Sequence, residues 1–117
     1  MNTSAVRHLS FYPFVQSLAR SKARFSLEAA ADDLSFCELV WWKRSVPEKK
    51  QTAPMHISIS DRCTDQWVAE VSFQEEAHYI KYGFKLTDQA GKTAWFNAYG
   101  FHAKETPEGS FEILQIN

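Results

Sequence analysis

The sequence predicts an all-β fold, a two-sheet antiparallel sandwich of seven or eight strands, and three observations carry that prediction. Apolar and polar residues alternate over several short runs, the period that turns one face of a strand toward a core and the other toward water. Turn-forming clusters separate those runs every dozen residues or so, the spacing a sandwich requires. The 117 residues, 44% hydrophobic and 15% aromatic, fit one core and leave no room for two, so residues 1–117 read as a single domain.

The aromatic-rich stretch 6–15 is the first strand-like run. In 24–29, Phe25, Leu27 and Ala29 share one face. The surrounding stretch 14–31 is also rich in helix formers such as Leu18, Ala19, Lys22 and Ala23, and a helix there would make the fold α+β; the period of two in 24–29 favours a strand. Residues 34–42 form the next run. Residues 55–60 alternate without a fault, with Met55, Ile57 and Ile59 on one side. Trp67, Ala69, Val71 and Phe73 share a face in 67–73, as do Ile80, Tyr82, Phe84 and Leu86 in 79–86. Runs 93–99 and 111–116 complete the set. Turn signals stand between them at 32–33, 47–50, 60–62, 74–76, 88–91 and 106–109. The short link 88–91 makes 79–86 and 93–99 an antiparallel hairpin. There is no internal repeat, linker or charge block. The sequence stops directly after the last run, the pattern of a domain cut from a longer protein.

Composition narrows the function classes. Thirteen Lys+Arg against fourteen Asp+Glu give a net charge of −1, without the basic excess that phosphate neutralisation demands, so nucleic acid is not the expected partner. No run of about eighteen apolar residues exists to span a bilayer, and residues 1–8 lack the apolar core of a secretion signal. Cys37 lies in an apolar run and reads as a small buried side chain. With Cys63 it could form one disulfide, but two free thiols in a reducing cytoplasm is the preferred reading.

No local pattern carries catalysis. His8, His56, His78 and His102 show no metal-ligand spacing and read as exposed strand or loop histidines. Asp32-Asp33 and Glu75-Glu76 are carboxylate pairs on turns, where adjacent acids are solvated. The glycines at 83, 91, 100 and 109 are too scattered to build a phosphate loop. A nucleophilic Cys37 or Cys63 would need a base delivered by the fold. A binding or structural module with no cofactor and no metal is the expectation, ahead of an enzyme.

The aromatic residues are the anomaly. In 93–99, Ala94, Phe96 and Ala98 fall on one face, and Trp95, Asn97 and Tyr99 on the other. Two rings flanking an amide suit a sugar, since rings pack on pyranose faces and the amide satisfies hydroxyls. The same face would serve equally if it were buried against a second sheet or a neighbouring domain. Trp41 and Trp42 must point opposite ways on a strand, so one is core and the other exposed or at an interface. Trp67, in register with Ala69 and Val71, reads as core.

Three stretches carry a family resemblance: Thr64-Asp65-Gln66-Trp67-Val68-Ala69-Glu70-Val71, then Tyr79-Ile80-Lys81-Tyr82-Gly83-Phe84-Lys85-Leu86-Thr87-Asp88, then Trp95-Phe96-Asn97-Ala98-Tyr99-Gly100-Phe101. In order and spacing they resemble the N-terminal domain of cyclomaltodextrinases, neopullulanases and maltogenic amylases, carbohydrate-binding module family 34 of the alpha-amylase enzymes. Upstream, His8, the Phe25/Leu27 strand, Asp33-Leu34 and Met55 also fall where that family has counterparts. The sequence departs from the family at Trp42-Lys43-Arg44-Ser45, which replaces a Gly-Asp-Pro-Tyr turn. It departs again at Ser26 and Glu28, where arginines are usual, and at Gln66, where an aromatic is common.

The resemblance implies an immunoglobulin-like sandwich at the N-terminus of a longer glycosidase, whose catalytic carboxylates lie on a following barrel. It implies a non-catalytic accessory role: shaping the cleft for cyclodextrins and maltooligosaccharides, supporting dimerisation with a second barrel, and binding α-glucan weakly. Trp42, Trp95, Asn97 and Tyr99 are the expected carbohydrate or interface residues. A protein–protein sandwich module with no sugar affinity is the alternative, and a small hydrolase using Cys37 or a histidine comes third.

Overall fold

The computed structural model describes residues 1–19, 21–73 and 79–114. After a 3₁₀ turn at Thr3–Ala5 come ten strands among these residues: β1 (Val15–Ala19), β2 (Lys22–Ala30), β3 (Leu34–Lys43), β4 (Gln51–Pro54), β5 (His56–Ser60), β6 (Thr64–Ser72), β7 (Tyr79–Asp88), β8 (Thr93–Asn97), β9 (Gly100–His102) and β10 (Phe111–Leu114). One sheet has the order β1-β2-β6-β5. The other has the order β4-β3-β7-β8-β9, with β10 beside β7. The ladders are antiparallel; β10 takes Tyr79 to Tyr82 of β7, and β8 takes Phe84 to Thr87 on the same strand.

The all-β sandwich is as the alternation predicts, and three local differences raise the strand number. The helix-rich stretch 14–31 is a β1–β2 hairpin, with Ser21 at φ 61° in its turn. Ahead of the run 55–60 stands a further strand that the alternation does not mark: β4 pairs with β3, and after Met55 the chain crosses to the other sheet as β5. The run 93–99 ends at Asn97, where the chain turns and returns as β9. The stretch 6–15 is not a strand. It makes one bridge, Arg7 to Glu28, and then turns at 11–14 around a cis Tyr12–Pro13 bond. Pro13 has no N–H to give a ladder, which accounts for the interruption.

The core lies where the two sheets face each other. Phe25 and Leu27 of β2 and Trp67, Ala69 and Val71 of β6 pack in one cluster with Leu39 and Trp41 of β3 and Ile80, Tyr82, Phe84 and Leu86 of β7. Burying each large side chain is worth roughly 1.5–3 kcal/mol, which is what drives the sheets together. Strand β5 corrects the sequence reading, because all five of its residues are exposed. It is the edge of the smaller sheet and its register slips between Ile57 and Ile59, so perfect alternation there meets no facing layer.

Asp88 fixes the β7–β8 turn. Its Oδ1 accepts the backbone N–H groups of Ala90 and Lys92, and its Oδ2 lies 3.1 Å from the N-terminal ammonium. The Lys92 N–H, with the ammonium next, holds its carboxyl below the usual carboxylate range.

Candidate functional site

Alternation sends Val40 and Trp42 of β3, Lys81, Gly83 and Lys85 of β7, and Trp95 and Asn97 of β8 to the outer face of the larger sheet, away from the core. There Val40, Trp42 and Trp95 form a second, smaller cluster. Gly83 makes it possible. A Cβ at that position would sit 2.3 Å from Cζ2 of Trp95, so the indole lies across the strand only because no side chain is there.

This cluster is covered by the chain's own loops. Lys50 Nζ stands 5.0 Å from the Trp42 ring centre and 3.2 Å from the Glu105 carboxylate, joining the loop after β3 to the loop after β9. Trp42 and Trp95 are each only 3% exposed. Trp41 and Trp42 do point opposite ways, with Trp41 in the core against Phe73 at 5.1 Å. The outward ring is roofed rather than open. A cleft of about 250 Å³ remains beside Trp95, bordered by Lys85, Thr93 and Lys104.

Asn97, 1% exposed, organises the tip that follows. Its Nδ2 donates to the Glu108 carbonyl at 2.9 Å, and its Oδ1 accepts from the Tyr99 N–H at 3.0 Å and from His102 Nε2 at 2.9 Å. The Ala98 N–H donates to the Gly109 carbonyl at 2.7 Å. Every polar atom of the Asn97 side chain thus has an internal role. Tyr99, at the turn between β8 and β9, is 77% exposed. Its ring rests on Gly109, whose φ of +78° and lack of Cβ both matter: a Cβ would fall 2.5 Å from the ring. The four residues singled out from the sequence therefore separate. Trp42, Trp95 and Asn97 are framework, and Tyr99 is the exposed, braced ring.

The sequence missed a buried polar centre. His8 is 5% exposed, against the expectation of an exposed histidine. Its Nδ1 lies 2.7 Å from the Ser26 carbonyl, so Nδ1 carries the proton and donates; Nε2 then accepts from the Tyr82 hydroxyl at 2.6 Å. Ser10 Oγ, 3.2 Å from that hydroxyl, extends the chain. Burial pulls the imidazole down to about 4, against the raising effect of the Ser26 carbonyl, and pushes the Tyr82 hydroxyl up. The family-like positions of His8 and of Tyr82 in Tyr-Gly-Phe were the only signals pointing here.

Other candidate chemistry is tied to structure. Burial pushes the Cys37 thiol up, which disfavours a thiolate. Cys63 is exposed, and both cysteines are free. Asp33 accepts the Asn2 N–H and Asp32 sits in a turn at φ 60°. His56 is exposed and His102 half-buried. Glu75-Glu76 and His78 lie outside the described residues. Among the described residues no group of three His, Cys, Asp or Glu side chains could hold a metal ion.

The fold has solved counterparts. A cyclomaltodextrinase superposes with a TM-score of 0.88 at 24% identity, over 100% of this chain and 20% of that one. The type III pullulan hydrolase from Thermococcus kodakarensis superposes with a TM-score of 0.63 at 16% identity, over 88% of this chain and 15% of that one. This chain thus spans about a fifth or less of the length of either structure. No curated protein matches it. The family described as alpha amylase, N-terminal ig-like domain, matches from residue 1 to residue 117, and the chain belongs to that family.

Proposed function

We propose that residues 1–117 are the non-catalytic N-terminal domain of a longer alpha-amylase-family glycosidase acting on cyclodextrins, maltooligosaccharides or related α-glucans. The family match along every residue carries this reading. The domain narrows the substrate cleft of a following barrel or of a dimer mate's barrel, and it touches α-glucan through Tyr99. That ring is exposed and rests on Gly109, and its backbone N–H is held by Asn97 Oδ1, so stacking on a pyranose costs little additional ordering. Two free thiols fit a reducing cytoplasm.

One stacked ring gives weak binding. The expected Kd for maltoheptaose or β-cyclodextrin is about 1 mM, roughly 4 kcal/mol. Titration followed by NMR is expected to shift the Tyr99 ring signals, Tyr99→Ala is expected to abolish the shift, and the isolated chain is expected to hydrolyse no α-glucan. The covering of Trp42 and Trp95 takes both rings away from sugar and equally from an apolar interface patch; the alternative is a protein–protein sandwich module with no sugar affinity. Ring and indole signals all unmoved at 10 mM sugar, on the order of ten times that Kd, would select it.

A further inference from the structure

Among the described residues the sandwich is open along the edge where β1 and β10 face each other, and a groove of about 290 Å³ lies there. Phe73 of the core forms part of its lining, with Phe11 and Leu114, which are 62% and 59% exposed. Lys22 and Glu112 supply one charge of each sign beside Ser10 and Ser17. An apolar groove with a neutral polar rim fits a polypeptide and repels neither sign; it does not select an anionic lipid or nucleic acid.

We propose that this groove is the seat of the polypeptide that follows this domain in the longer chain, an inference that rests on the function proposed above. Strand β10 brings the described chain to the rim at Leu114. In the superposed cyclomaltodextrinase four-fifths of the chain lies outside the matched fifth. A second copy would have to bury about 800 Å² per partner to hold. A tethered segment only a few residues away is present at an effective concentration in the millimolar range, so one modest groove suffices to seat it.

Thiol labelling read by peptide mass spectrometry tests this, with Ser17→Cys as the reporter and exposed Cys63 as the internal standard. Ser17 is exposed in the domain, so in the 1–117 chain the introduced thiol is expected to label at a rate comparable to Cys63. In the longer chain it is expected to label at least about tenfold more slowly, about 1.4 kcal/mol of protection, at any protein concentration, and adding Phe11→Asp is expected to restore the rate. Equal relative rates in the two chains overturn the proposal, as does protection lost on dilution, which assigns the groove to a second copy. Cyclodextrin hydrolysis by the same long-chain sample reports separately on the glycosidase reading: an active, unprotected chain sinks the groove alone. A reading frame that stops at residue 117 sinks both.

Discussion

Gly83→Ala is expected to destabilise the domain by about 3 kcal/mol, a fall of roughly 10 °C in Tm for a chain of this size. Two effects compete. Removing a glycine from an extended strand ordinarily stabilises by about 0.4–1 kcal/mol through the unfolded state. Against it stands a Cβ placed 2.3 Å from the Trp95 ring, and that ring, packed with Val40 and Trp42, escapes the clash only by tilting toward the cleft beside it and giving up those contacts. Overpacking a rigid ring outweighs the entropy gain. Trp95→Ala alone is expected to cost about 3–5 kcal/mol through the cavity it leaves, and the double variant about the same as Trp95→Ala, because the clash is gone. Urea unfolding of the four chains reads the cycle; a neutral or stabilising Gly83→Ala would show that the indole does not cross the strand.

The second large effect is acid sensitivity centred on His8. Its native imidazole is held near 4 while the unfolded one titrates at about 6.5. Between those values the unfolded chain binds the proton and the native chain does not, so stability rises with pH across this window. It is complete above about 6.5 and lost as pH falls toward 4, by about 3 kcal/mol in all. Asp61 and Asp88, whose carboxyls are held below their usual range, act only at lower pH. His8→Phe is expected to flatten the slope between pH 5 and 6.5. It is also expected to cost about 2–4 kcal/mol at pH 7, because the Ser26 carbonyl loses its Nδ1–H donor and the buried Tyr82 hydroxyl keeps only the 3.2 Å contact to Ser10. Adding Tyr82→Phe is expected to recover part of that loss, since it removes a buried hydroxyl that has lost its shorter hydrogen bond. An unchanged slope in His8→Phe would contradict the buried neutral histidine.

The strands of the core were legible because both sheets obey one rule. Phe25 and Leu27, or Ile80, Tyr82, Phe84 and Leu86, alternate because a second layer lies opposite them, and each is fully buried. The rule failed where that layer ends. Ile57 and Ile59 alternate as well as any pair, yet edge strand β5 has nothing above it. At the candidate site, the period of two placed Trp95 and Asn97 on the outer face correctly. It could not show that the chain turns after Asn97 and carries Tyr99 off that face. Nor could it show the lid over Trp42, since Lys50 and Glu105 are 55 positions apart. His8 was opaque for the same reason: Tyr82, its partner, is 74 positions away. Local pattern reports which way a side chain points, and distant segments decide whether it meets water.

The ratio of kcat/KM for β-cyclodextrin to that for soluble starch, measured on the proposed parent glycosidase with and without residues 1–117, tests the proposed cleft-shaping role of this domain. Removing it is expected to lower the ratio by roughly tenfold, about 1.4 kcal/mol of transition-state binding, while the barrel retains starch hydrolysis. An unchanged ratio would contradict the cleft-shaping role.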